Sequence, residues 1–73
     1  MTDARYLTEE QTRRLKSLMV GAGYGVESMA LAMNMSRPTF SARLNGRQDF
    51  TKSEMELFAS LVSEKPQAIF FAA

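Results

Sequence analysis

Apolar side chains recur along this chain at spacings of three and four residues, which places them on one face of a helix. In the first such segment Leu15, Leu18 and Met19 form a single stripe. Thr8 is followed three residues later by a Gln, and Thr51 by Glu54, the capping-box pattern that starts a helix. Four methionines on such stripes are predicted core residues: Met19, Met29, Met33 and Met55. The periodicity predicts four helices and a short final turn, at about 8–20, 25–33, 36–45, 52–63 and 66–71.

The second and third segments are joined by a connection whose residues are typical of a sharp turn. Asn34 stands where a left-handed backbone is wanted, and Ser36 can cap the following helix. Pro38 fits the first turn of that helix, and Met35 is an apolar plug in the turn. Ala30 is small enough to let two helices cross closely. These residues predict a helix-turn-helix, in which the start of the second helix can enter a DNA major groove about 12 Å wide.

Several stretches carry a resemblance to a known family. They read MALAMNMSRPTFS at 29–41, RLNGR at 43–47 and FTKSEM at 50–55, with IFF at 69–71. Together they resemble the small phage-type members of the Cro/repressor (Xre-like) helix-turn-helix family. The resemblance implies an all-α fold, a compact four- to five-helix lambda-repressor-like domain. It also implies binding to double-stranded operator DNA as a homodimer, which can form on the DNA.

Composition limits the chemistry that this chain can perform. Its 73 residues are enough for one small domain, expected to span residues 1–73, and 45% of them are hydrophobic, too many for a disordered tail. Cys and His are both absent, which excludes thiolate and imidazole metal sites and the Cys–His and Ser–His forms of nucleophilic catalysis. We therefore expect no enzyme activity, cofactor, metal or small-molecule ligand. The sequence has neither a signal-like start nor a long apolar run, so we expect a cytoplasmic location and no membrane partner.

Positive charge is concentrated in one segment. The formal net charge is +1, but residues 37–52 contain four basic residues and one acidic residue. The rest of the chain holds five basic and seven acidic residues. Arg13, Arg14 and Lys16 are predicted to lie on the solvated face of the first helix, where acidic residues are one turn away. The uneven distribution favours an anionic partner at 37–52.

The start of the third helix holds the side chains best placed to read DNA bases. If Phe40 and Leu44 face inward, the opposite side of this helix points outward. Arginine is the commonest residue to contact guanine, serine can bond a base or a phosphate, and alanine can pack on the thymine methyl. The predicted base contacts are Arg37, Pro38, Ser41 and Ala42. The alternative is plain helix surface or, for Arg37, a solvated charge or a phosphate clamp.

A second group of polar residues lies at both ends of the third helix and in the loop after it. In the resembled family this loop runs along the phosphate backbone, where contacts position the protein without reading sequence. The predicted phosphate contacts are Ser36, Thr39, Arg43, Asn45, Arg47 and Lys52. The alternative is an exposed basic loop in which Arg43 pairs with an acid on a neighbouring helix.

A strongly apolar stretch follows Pro66. A domain of this size has a marginal core, and a large exposed apolar patch marks a partner site. The stretch therefore either folds back on the first and fourth helices or forms a subunit contact. We predict a homodimer through Ile69, Phe70 and Phe71 together with the exposed side of the fourth helix.

These features predict a sequence-specific DNA-binding transcriptional regulator. The specific prediction is a Cro-like repressor of a phage or mobile element that places helix 36–45 in the major groove. The alternative is a helix-turn-helix protein-interaction module, such as an antitoxin, an anti-host factor or a polymerase modifier. The scarcity of polar side chains on the second and third helices keeps this alternative open, whereas the basic residues at the phosphate positions favour DNA.

Overall fold

Five α-helices run through residues 6–70, the part of the chain that the computed structural model describes. They are α1 (Glu9–Gly21), α2 (Val26–Ala32), α3 (Arg37–Leu44), α4 (Lys52–Leu61) and α5 (Pro66–Phe70). No strand occurs among these residues, which confirms the predicted all-α fold. The predicted helices match the observed ones to within two residues at either end, and the predicted final turn is a short fifth helix. None of the five is both long and apolar enough to cross a membrane.

The helix starts follow from the local sequence. Thr8 and Thr51 each accept a hydrogen bond on the hydroxyl oxygen from the backbone N–H three residues later. In both cases the side chain at that later position accepts the N–H of the threonine, so both predicted capping boxes are present. Ser36 accepts the N–H of Thr39 at the start of α3. These bonds satisfy N–H groups that have no partner inside the helix.

Four phenylalanine rings form the centre of the core. They come from three helices and the α3–α4 connection: Phe40, Phe50, Phe58 and Phe70. The centroids of neighbouring rings are 5.3–6.5 Å apart, the range in which aromatic pairs attract. Of the predicted core methionines, three are buried and one packs at the edge of the core: Met19, Met29, Met33 and, at the edge, Met55. The rings therefore hold α3, α4 and α5 together, and the buried methionines of α1 and α2 pack into the same core.

Side chains of α1 bind the carboxyl ends of two other helices. The hydroxyl of Thr12 donates a buried hydrogen bond of 2.9 Å to the carbonyl oxygen of Leu44, the last residue of α3. The Nη1 of Arg14 donates to the carbonyl oxygen of Ala68 in α5 at 3.1 Å. Arg14 is exposed, as predicted, but it also has this unpredicted partner. Because the last carbonyls of a helix have no partner within it, these bonds complete α3 and α5.

The apolar C-terminal stretch is part of the core as far as the structure describes it. Ile69 is 2% exposed and Phe70 is 6% exposed, and the ring of Phe70 lies 5.3 Å from that of Phe50. The predicted dimer contact is therefore wrong for Ile69 and Phe70, since their apolar surface is already covered within one copy. The alternative, in which the stretch folds back, holds for these two residues. Phe71, the third residue of that prediction, lies outside the described residues.

Replacing Thr12 with Val tests the bond between α1 and α3. Valine has nearly the same shape but no hydroxyl, so the carbonyl of Leu44 loses its buried donor. We expect the free energy of unfolding to fall by about 1–3 kcal/mol, the usual effect of a buried unsatisfied group. Urea denaturation followed by circular dichroism measures this change. The matched control is Ser17→Ala on the exposed side of α1; equal stability of the two variants would contradict the prediction.

Candidate nucleic-acid interface

A tight turn joins α2 to α3 and fixes the angle between them. Asn34 has a φ of 58°, the left-handed conformation that the sequence predicts. The N–H of Met35 donates to the carbonyl oxygen of Ala30 at 2.9 Å, which closes the turn back on α2. Ala30 is 2% exposed, and Met35 packs against the core as a partly buried plug. The predicted helix-turn-helix geometry is therefore present.

The two faces of α3 differ sharply. Phe40 and Leu44 are 0% and 1% exposed, so one face is anchored in the core. Arg37 and Pro38 are exposed at the start of the helix, while two predicted base-contacting residues farther along are half-buried: Ser41 and Ala42. The guanidinium of Arg37 has no ion pair with a described residue. The N-terminal end of α3 therefore presents a cation at the surface of the described domain.

The polar residues at the ends of α3 also bond within the protein. The Oγ of Ser36 donates to Oγ1 of Thr39 at 2.8 Å, so the hydroxyl proton of Thr39 is left to point elsewhere. At the other end, Nδ2 of Asn45 donates to the carbonyl oxygen of Ser41 at 2.8 Å. This bond turns the amide of Asn45 back onto its own helix. The cap formed by Ser36 was predicted, whereas the inward turn of Asn45 was not.

Arg43 is turned toward α4. Its Nη1 donates to Oε1 of Glu54 and also to the carbonyl oxygen of Asp49 at 3.2 Å. Only 20% of the side chain is exposed, and its Nε is buried. In this conformation the charge of Arg43 is already paired, so a phosphate would have to compete with Glu54 for its guanidinium. The alternative, pairing with an acid on a neighbouring helix, is the observed arrangement.

Two cations remain at the surface after α3. Arg47 lies in the α3–α4 connection and Lys52 is the first residue of α4, and both are exposed. The N–H of Arg47 donates to the carbonyl oxygen of Ala42 at 2.9 Å, which folds the connection back against α3. Gly46 makes this reversal with a φ of 80°, a conformation that side chains with a Cβ rarely adopt. We refer to the three exposed cations, Arg37, Arg47 and Lys52, as the cationic surface.

Two further residues that shape this region were not predicted. The N–H of Tyr6 donates to the carbonyl oxygen of Gly46 at 2.9 Å, which ties the start of the described chain to the connection. Glu54 was expected in a capping box, but its pairing with Arg43 was not. The two residues are eleven positions apart on different helices, so no helical spacing rule relates them. The one indirect sequence signal is that the third helix contains no acidic residue with which Arg43 could pair.

A solved protein has a similar fold. The restriction-modification controller protein C.AhdI from Aeromonas hydrophila superimposes with a TM-score of 0.72. The match covers 84% of this chain and 92% of that chain, at 18% sequence identity. No family profile matches this chain, and no curated protein matches it. At this identity the likeness establishes the shared fold.

Proposed function

We propose that this protein is a sequence-specific DNA-binding transcriptional regulator, a Cro-like repressor of a phage or mobile element that acts in the cytoplasm. It inserts α3 into the major groove of operator DNA. The observation that carries the proposal is the position of Arg37 and Pro38, exposed at the start of a helix whose other face is buried. An α-helix is about 10–12 Å across with its side chains, which matches the width of the major groove.

The distribution of charge supports the same function. Arg37 at the start of α3 is suited to a bidentate contact with guanine, and Ser41 and Ala42 follow along the same helix. Arg47 and Lys52 lie beyond its other end, where they would meet the phosphate backbone on either side of the groove. Ser36, Thr39 and Asn45 remain proposed phosphate contacts, with Thr39 favoured by its available hydroxyl proton.

The fold comparison adds support for a regulatory role. A controller protein of a restriction-modification system shares this fold. Fold alone does not establish function, so the proposal depends on the cations of this chain. A protein-interaction module is the second candidate, and one observation favours it: Leu31 on α2 is 80% exposed.

A gel-shift titration distinguishes these two functions. The purified protein is titrated against DNA from upstream of its own gene and against a shuffled duplex of the same length. We expect binding to the upstream DNA at concentrations at least about a thousandfold lower than to the shuffled duplex. Equal, weak binding to both duplexes would reject the repressor and favour the protein-interaction module.

Replacing Arg37 with Ala tests direct base reading. We expect a loss of about 1–3 kcal/mol on the cognate site and a relaxed preference at one base pair, because a bidentate contact to guanine disappears. Fluorescence anisotropy with cognate and single-base-substituted duplexes measures both effects. Arg13→Ala, on the exposed side of α1, is the control. An equal loss on cognate and shuffled DNA would make Arg37 a phosphate clamp instead.

Salt dependence tests the phosphate contacts. If Arg47 and Lys52 each neutralise one phosphate, replacing either with Ala should flatten the slope of log affinity against log salt by about 0.9. Titrations at several salt concentrations measure the slope. Lys65→Ala removes an exposed cation from the α4–α5 connection and should leave the slope unchanged. If the Arg47→Ala and Lys52→Ala variants both kept the wild-type slope, neither residue would contact phosphate.

We also propose that the protein binds its operator as a homodimer, through the exposed side of α4. Leu57 on this helix is 38% exposed. A two-fold interface brings the same patch of both copies together, so an apolar patch is complementary to itself. Phe71, which directly follows α5, stays part of this proposal, whereas the buried Ile69 and Phe70 do not.

Replacing Leu57 with Glu tests the dimer. Like charges at the two-fold axis should keep two copies apart, so binding to a palindrome with half-sites about 34–36 Å apart loses its cooperativity. The gain from linked half-sites is typically a hundredfold or more, so we expect affinity to fall by about that factor. Sedimentation velocity on the DNA complex counts the copies bound. Val20→Glu, at a residue on α1 that is 67% exposed, is the control. Cooperative binding by Leu57→Glu would place the contact elsewhere.

A further inference from the structure

We propose that Arg43 and Glu54 are positioning residues that hold the α3–α4 connection in the shape that meets DNA, and that Arg43 itself contacts no phosphate. This inference rests on the proposed DNA-binding function. It reverses the simplest expectation for an arginine at the end of a DNA-reading helix, which is a direct contact with the backbone.

The bonds around Glu54 join the two ends of the connection. Its Oε1 accepts the N–H of Thr51 at 2.9 Å and also the Nη1 of Arg43. Arg43 belongs to the last turn of α3, and Glu54 to the first turn of α4. One carboxylate oxygen therefore fixes the end of one helix against the start of the next.

The same arginine also holds the connection between them. Its Nη1 donates to the carbonyl oxygen of Asp49, within the seven residues that separate α3 from α4. At the other end of this segment, Arg47 is held by its N–H bond to α3. The backbone is thus restrained on both sides of the exposed cations. Restraint before binding lowers the conformational entropy that would otherwise be lost on binding.

The charge of the pair is matched internally. Arg43 is 20% exposed and Glu54 is 22% exposed, so both charged groups lie largely out of solvent. A phosphate would have to compete with the carboxylate for the guanidinium. The exposed cations that flank the pair, Arg47 and Lys52, have no such competitor among the described residues. Arg47 and Lys52 therefore provide the positive charge that meets phosphate, and the Arg43–Glu54 pair holds the connection in shape.

The variant Glu54→Gln separates positioning from direct contact, because the two roles predict changes of opposite sign. Glutamine can still accept the N–H of Thr51, so the capping box is retained and only the ion pair is removed. If Arg43 positions the connection, its release should weaken DNA binding and flatten the salt slope by about 0.9 for each phosphate that the displaced cations no longer neutralise. If Arg43 contacts phosphate, its release should strengthen binding and steepen the slope.

The control for the removed negative charge is Glu56→Gln, two residues farther along α4 and exposed. Both variants are titrated against operator DNA over a salt series, at a temperature at which circular dichroism shows wild-type helix content. We expect Glu54→Gln to bind several-fold more weakly than Glu56→Gln. Tighter binding with a steeper slope would make Arg43 a direct contact, and equal binding would reduce the pair to a stability role. Either result overturns the inference.

A second pair of variants tests whether weaker DNA binding reflects a general loss of structure. Arg43→Met removes the charge but keeps an apolar stem, and Arg14→Met does the same to the arginine that bonds the backbone of α5. We expect only Arg43→Met to lower both DNA affinity and the salt slope. Equal effects of the two variants would overturn the inference. Failure of the wild-type protein to bind any DNA would instead reject the proposed function itself, so the two failures are distinguishable.

Discussion

The packing of four phenylalanine rings is the constraint on which the rest of the structure depends. Phe58 lies within 6.4 Å of three other rings, which come from α3, α5 and the α3–α4 connection. A chain of 73 residues buries only about 60% of the surface that it exposes when unfolded, so a few large side chains must supply much of its stability. The outward face of α3 is defined by this packing, since Phe40 fixes the rotation of the helix about its own axis.

A side chain of α1 and the turn after α2 hold the two ends of α3. The hydroxyl of Thr12 holds the last carbonyl of α3, and the turn at Asn34 holds its first residues. Helix α3 is therefore attached at both ends and along one face. Such an attachment suits a function in which a rigid helix enters a groove, because little conformational entropy remains to be lost on binding.

Features that depend on neighbouring residues could be predicted from the sequence, whereas contacts between distant residues could not. The left-handed turn at Asn34 and the cap at Ser36 depend on neighbouring residues, and both were predicted correctly. The burial of Phe70 depends on whether the core has room for it, which composition does not reveal. The pairing of Arg43 with Glu54 depends on the angle between two helices, which only the packed structure supplies. For this reason the predicted fold was correct, while the predicted dimer contacts at Ile69 and Phe70 were not.

The hydrogen bond between Tyr6 and Gly46 has a practical consequence for handling the protein. It places the backbone of Tyr6 beside the connection that contains Arg47. An affinity tag or fluorescent fusion added in front of that residue would be tethered beside the cationic surface. A histidine-rich or acidic tag at that end would change the local charge and distort any affinity measured with it. The hydrogen bond of one backbone amide therefore limits where a tag or reporter can be fused to this small domain.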